Sequence, residues 1–244
     1  FALIPANNSW FSTVFAEGNS SESIFELQYS LQNQNPFYDM FVERPRYNVA
    51  PTVLEEVFGI NMNNPTEQDI RGERASMVSS SATIYKYSGL NQSERKPRNE
   101  SDTHWFVYRY ADVLLMKAEA LNQTGDGAQA LSIIEEVRER SEAIELTEMQ
   151  VSEDDTDGIT DYILAERSRE LAFEGKRWFD VLRNARRNNY ERIDLVKNLA
   201  ITSVPPELQQ SVLAKLENPN SHYLPIYFYE LYANKALEQN PFYE

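Results

Sequence analysis

The chain has 244 residues, with 38 Asp and Glu against 23 Lys and Arg, for a formal net charge of −15. Cysteine is absent and the only histidines are His104 and His222, which excludes a disulfide scaffold, a thiolate metal centre and a cysteine nucleophile. The acidic balance argues against nucleic acid and anionic membrane surfaces as partners. No apolar run reaches the roughly 18 residues of a membrane span.

Hydrophobic residues make up 41% of the chain, ordinary for a globular protein, and a chain of this length can bury a sizeable core. Phe1 stands where an initiator Met would, so the chain is expected to be a processed or truncated product. No Gly-rich phosphate cradle, Gly-x-Ser-x-Gly elbow or His-Glu-x-x-His motif occurs, and no cofactor is implied.

Residues 1–104 read as a loop-rich, aromatic region with short strands. Alternation from Ser23 to Tyr29 predicts a strand, with Phe25, Leu27 and Tyr29 on its apolar face. A second strand is predicted over Thr83–Tyr87. Between them, Phe37, Tyr38, Phe41 and Tyr47 lie in a loop rich in Pro, Asn and Arg. Long loops of this kind are functional or disordered, and the aromatic density argues against disorder. These four rings, with amide and charged neighbours, are the candidate ligand-binding residues. The segment Gly89–Asp102 reads as a solvated loop.

Residues 105–188 read as a helical scaffold. Ala111, Leu114, Leu115, Ala118 and Leu121 form one 3.6-residue stripe, and Ala130, Ile133, Ile134 and Val137 form another. Gly125 closes the first helix and Asp126 caps the second. The pair is an antiparallel hairpin resembling a tetratricopeptide unit, and one unit needs partner helices from elsewhere. A third helix is expected at about 159–174, ended by Gly175, and a fourth at 176–188. Residues 189–222 show little periodicity. The aromatic C-terminal segment, part of a region 189–244, is expected to pack back on the body.

Glu166, Glu170 and Glu174 recur at i, i+4, i+8, a spacing at which like charges repel. Arg167, Arg169 and Arg177 nearby, with Arg138 and Arg140 on the preceding helix, favour a structural ion-pair network. The alternative is a carboxylate pair, Glu170 and Glu174, doing glycoside hydrolysis. Glu153, Asp155, Asp157 and Gly158 imitate the start of a calcium loop, but Leu164 stands where the bidentate carboxylate is needed, so a solvated acidic linker is favoured. Trp105 and Trp178 read as core, while Trp10 is left open between core and a sugar-stacking platform.

Several stretches carry a resemblance. The run Arg109-Tyr110-Ala111-Asp112-Val113-Leu114-Leu115-Met116-Lys117-Ala118-Glu119-Ala120-Leu121-Asn122 resembles a signature helix of the SusD/RagB family. The run from Ile163 through Glu166-Arg167-Ser168-Arg169-Glu170 to Trp178-Phe179-Asp180 resembles its most recognisable stretch. Val137–Arg140, Ser21–Tyr29, Leu224-Pro225-Ile226 and Gln239–Tyr243 are similar to further family segments, and all occur in family order. Departures are local: Glu135, Ser141, Tyr227 and Phe242 stand where the family usually has Asn, Ala, Pro and Gly.

The resemblance implies a mainly α fold with tetratricopeptide-like helix pairs, a loop-rich region and a few short strands, the whole forming one C-terminal domain. It implies a non-catalytic surface lipoprotein of Bacteroidetes-type bacteria that captures oligosaccharides, or in some members peptides. Its expected partner is a SusC-like, TonB-dependent outer-membrane transporter. Family members are about twice as long, so the chain is expected to be a C-terminal half, and the lipid-bearing N-terminal cysteine lies outside it.

Overall fold

The computed structural model describes residues 1–50, 53–60, 64 and 66–244. These group into two compact units, Phe1–Arg177 and Trp178–Glu244. The architecture is mainly α with a few short strands, as expected. Among the described residues, no helix is long and apolar enough to cross a membrane.

In the first unit, β1 (Ser23–Leu27) pairs antiparallel with β4 (Trp105–Arg109), and β2 (Met77–Val78) with β3 (Thr83–Ile84). The face expected to be apolar in β1 turns outward instead: Phe25 is 52% and Leu27 48% exposed, while Glu26 is buried at 8%. Two register irregularities in the β1–β4 ladder allow this inversion. The Glu26 carboxylate gains by it, accepting the Asn19 N–H at 3.0 Å and lying 2.7 Å from His104 Nδ1. The second predicted strand keeps only its first two residues. Tyr85, Lys86 and Tyr87 are all buried, and the Ser88 and Gly89 N–H groups turn back to the Tyr85 carbonyl. The 89–102 segment is not simply solvated, because Lys96 is buried and donates to the Ala16 carbonyl and to Asp102.

Three five-residue segments, Ser12–Ala16, Asp39–Glu43 and Leu54–Phe58, form wide helical turns. The first carries Val14 and Phe15 into an aromatic core with Trp10, Phe11, Phe58, Tyr85 and Phe106. Trp10 is only 2% exposed, so this ring is core.

The helical hairpin forms as the periodicity predicts. α1 (Tyr110–Gln123) and α2 (Gly127–Arg140) pack together and against α3 (Thr156–Glu170). Ala118, Ala130, Ile134, Val137 and Ile159 are fully buried between them. Asp126 caps α2, its side chain accepting the Gln129 N–H. α3 ends four residues earlier than expected, and a turn then reverses the chain through Phe173 (φ +63°) and Gly175 (φ +76°). Asp155, considered above for calcium, is the N-cap of α3 and accepts the Gly158 N–H at 2.9 Å.

In the second unit, Arg177–Ala185 opens the fold. Ile193–Thr202 and Pro206–Leu216 form two further helices that the weak periodicity of this stretch concealed. Asn188, Asn189 and Tyr190 take positive φ, which asparagine tolerates better than most residues, and this breaks the helical path. Val181, Leu182, Ala185, Val196 and Leu216 make the core of the unit, with Trp178 packed partly buried against it. Trp178 Nε1–H donates to the His222 carbonyl at 2.8 Å. The tail is held by hydrogen bonds, from Asn240 to the Asn220 and Tyr223 carbonyls and between Gln239 and Ile226. The tail rings Tyr227, Phe228, Tyr229 and Tyr232 are exposed. They crowd the six-residue helix Phe228–Ala233 and its entry, which is too short to turn them all to one side.

At Gly127, the first residue of α2, a Cβ would lie 2.0 Å from the Glu153 carbonyl oxygen. Helix propensity alone favours Ala there by roughly 0.5–1 kcal/mol, but the clash with backbone reverses the sign. Gly127→Ala is expected to destabilise the protein by about 1–3 kcal/mol in urea unfolding, in line with overpacking elsewhere.

Candidate functional site

α3 and the turn after it carry three carboxylates into a fully buried lattice of charge. Glu166 Oε1 lies 2.5 Å from Arg71 Nη1, and Glu166 Oε2 lies 2.9 Å from Arg169 and 3.5 Å from Arg138. Glu170 lies 2.5 Å from Arg109, 2.9 Å from Arg71, and within hydrogen-bond reach of Arg140. Glu174 lies 2.9 Å from both Arg109 and Lys86. Glu22 bridges Arg109 and Arg140, and Asp69 pairs with Arg71 at 2.6 Å.

Of the basic residues expected in this network, Arg138, Arg140 and Arg169 touch these glutamates. Arg167 reaches Asp112 at 2.8 Å, and Arg177 donates to the Leu164 carbonyl. Glu22, Asp69, Arg71, Lys86 and Arg109 were not anticipated. Arg71 meets Glu170 across 99 residues of sequence and Glu22 meets Arg140 across 118, and no local pattern marks them.

The lattice decides the state of its acids. Burial by itself raises a carboxyl pKa, and at Glu170 this is outweighed by Arg140, Arg109 and Arg71, which hold it well below the usual range. Burial is likewise outweighed at Glu166 by Arg71 and Arg169, and at Glu174 by Arg109 and Lys86, so both are lowered. A glycosidase acid needs the opposite, a carboxyl that stays protonated near neutral pH.

The ligand candidates lie elsewhere. A cavity of about 610 Å³ is lined by Leu27 and Tyr29 after β1, Phe37, Met40 and Phe41 around the Asp39–Glu43 turn, Tyr47, Trp105 of β4 and Phe173. Asn35, outside the lining, fixes the position of Phe37. Its amide donates to the Thr103 carbonyl at 2.8 Å, and its side-chain oxygen accepts the Phe37 N–H at 2.9 Å and the Ser101 hydroxyl at 2.8 Å. Those bonds dock the 35–37 turn on the chain entering β4 and set Phe37 against Trp105, ring centroids 5.2 Å apart. Tyr87 stacks beneath Trp105 at 4.9 Å and 16°.

Three of the four predicted rings therefore meet in one cavity. Phe37 and Phe41 are 6% and 5% exposed and act as its floor, whereas Tyr47 is 58% exposed. Tyr38 does not line it. Trp105, read as core from its place at a helix entrance, is partly buried and lines the cavity. Tyr29 was visible in the alternation of β1, but nothing local distinguished it as a wall of a site. The Tyr29 and Tyr47 rings and the Asn48 amide supply the polar rim. The arrangement suits a flat, hydroxyl-bearing ligand laid against ring faces, and it holds no activated nucleophile.

Removing one lattice carboxylate leaves buried guanidinium groups unpaired. Glu170→Ala is expected to cost about 3–5 kcal/mol of stability. The three glutamates have folded pKa values below their unfolded values, so their contribution is complete above the unfolded pKa of about 4.5. It drains away as pH falls below that point toward the folded values. Urea melts as a function of pH should show the gap between the natural chain and Glu170→Ala shrinking on acidification. A gap that widens there would contradict the assignment.

Comparison with known proteins agrees with this architecture. A SusD family model matches residues 34–243. Among curated relatives, SusD-like protein P38 of Formosa agariphila is 38% identical over 104 residues, covering 41% of this chain and 20% of its own. SusD-like protein P2 of the same organism is 39% identical over 106 residues, covering 42% and 20%. A SusD superfamily protein from Bacteroides vulgatus superposes with a TM-score of 0.63 at 20% identity, over 95% of this chain and 53% of its own. One from Bacteroides thetaiotaomicron gives 0.61 at 16%, over 99% and 50%. The matched region is about a fifth of the curated relatives' length and about half that of the solved ones. With the family model spanning most of its length, the chain belongs to the SusD family.

Proposed function

We propose that this protein binds nutrient oligosaccharides without catalysis, at the outer surface of a bacterial outer membrane, and passes them to a SusC-like TonB-dependent transporter. Family membership supports the setting. The carrying observation is the cavity in which Tyr47, Trp105 and Tyr29 present rings above a floor of Phe37 and Phe41. Sugar rings offer one apolar face and a hydroxyl periphery, and such a wall meets the first with aromatic surface and the second with the polar rim. Glu170 and Glu174, the residues a hydrolase reading would use, are sealed in the charge lattice and kept ionised. Lipid anchoring through a cysteine upstream of this chain belongs to the same proposal.

An open cavity with a sparse polar rim orders few ligand groups, so affinities on the order of micromolar to millimolar are expected. Titration calorimetry on a panel of neutral oligosaccharides should find a binder. Tyr47→Ala and Trp105→Ala should each weaken it about tenfold, a loss near 1.4 kcal/mol, with unchanged circular dichroism and no released sugar. Binding that survives both substitutions, or turnover abolished by Glu170→Gln, would overturn the reading.

A further inference from the structure

A second cavity, of about 420 Å³, lies beside the first and is lined by Val42, Arg74, Val78, Ser81, Thr83, Tyr85, Ser93 and Arg95. Val42 and Thr83 are chain neighbours of Phe41 and Ile84, which line the aromatic cavity. Two guanidinium groups thus share one concavity with four hydroxyl side chains, Ser81, Thr83, Tyr85 and Ser93.

Arg95 is held in place. It lies over the Tyr85 ring at 5.0 Å and donates to Thr83 Oγ1 at 2.6 Å and to Ser88 Oγ at 3.2 Å. Ser81 and Thr83 hydroxyls are 2.8 Å apart. Arg74 donates to the Ser93 carbonyl at 3.2 Å and has a left-handed backbone at φ +56°, with its N–H bonded to the Met77 carbonyl at 2.7 Å. A residue other than glycine in that region carries strain, a feature that clusters at binding sites.

The charge balance makes the pair unusual. Acidic residues outnumber basic ones 38 to 23, and the buried lattice pairs each of its arginines with at least one carboxylate. Among the described residues neither Arg74 nor Arg95 forms an ion pair. Burial and the neighbouring Arg74 both push Arg95 down from the ordinary guanidinium value. Neutral hydroxyls and carbonyls satisfy some N–H groups without cancelling charge, so the cavity keeps a local positive field in an otherwise anionic protein.

We propose that Arg74 and Arg95 form a subsite for an anionic substituent, a carboxylate or a sulfate ester, on an acidic oligosaccharide. The guanidinium fork matches either group bidentately, and the Ser81 and Ser93 hydroxyls are placed to bond its remaining oxygens or flanking sugar hydroxyls. Net repulsion from the rest of the chain would suppress non-specific anion binding, which leaves recognition to this pair. The inference rests on the glycan-binding reading for the identity of what carries the group.

The test uses matched ligands differing only in charge: an oligogalacturonate against its methyl ester, and a sulfated galactan oligosaccharide against its desulfated form. Calorimetry on the 244-residue chain should show at least one charged form bound about tenfold more tightly than its neutral partner, a difference of about 1.4 kcal/mol, and the preference should fade as NaCl is raised. Which pair shows it distinguishes carboxylate from sulfate. Arg74→Gln combined with Arg95→Gln should abolish the preference and leave the neutral forms unaffected. Arg74→Gln alone, at an exposed position, reduces it without burdening the fold. A preference retained in both variants, or neutral forms bound with no preference in the natural chain, overturns the subsite and leaves the glycan-binding reading standing. If no glycan binds in any form, that reading fails and inorganic sulfate decides the subsite separately. Sulfate-dependent NMR shifts at Arg95 Nε–H that are lost in Arg74→Gln, where the probe group is still present, support an anion site, and their absence from the natural chain removes it.

Discussion

Three glutamates are carried from water into the interior and must each find guanidinium or ammonium partners there. Desolvating a charge costs several kcal/mol unless geometry and hydrogen bonding restore it. Glu166, Glu170 and Glu174 therefore tolerate few arrangements of the chain around them. Arg71 and Asp69 must come from one loop, Lys86 from the stretch after β3, Arg109 from the end of β4, and Arg138 and Arg140 from α2. Two of these four segments, the 69–71 loop and the stretch after β3, lie outside helices and strands. The lattice gives the loop-rich region the register that a large sheet would otherwise supply.

The same lattice sits directly behind the aromatic cavity. Arg109 ends the strand that begins with Trp105, Lys86 lies between Tyr85 and Tyr87, and Glu174 stands between Phe173 and Gly175, both of which line the aromatic cavity. The carboxylates are paired underneath, and rings line the cavity. A site built this way can exchange its rings without disturbing the charges that position them.

The second unit is organised differently. Its core is small and aliphatic, its links are side-chain to backbone hydrogen bonds, and its tail leaves Tyr227, Phe228, Tyr229 and Tyr232 in solvent. In that tail, local capping by Asn218 and Asn240, each accepting a backbone N–H two residues on, does the ordering that burial does in the first unit.

The helical hairpin was legible in the residues because it depends on local periodicity. Ala111, Leu115, Ala118 and Ala130, Ile134, Val137 fall on faces fixed by the 3.6-residue repeat, and Asp126 and Gly125 act within one turn of themselves. The aromatic loop could be singled out by composition, yet only packing decided that Phe37 and Phe41 form a floor, that Tyr38 stays out of the lining, and that Trp105 is a wall. The outward turn of Phe25 and Leu27 and the burial of Glu26 were beyond any alternation rule, because a two-stranded sheet with irregular register obeys its hydrogen-bond partners first. The partners of Glu170 were equally hidden. Arg71 and Arg109 stand 99 and 61 residues from it, and no periodic signal spans such distances. Local residue order thus determined the helical hairpin and its caps, while the helices of the second unit, the pairing of buried charges and the shape of the cavity were decided in three dimensions, where desolvation penalises alternative arrangements of the charges.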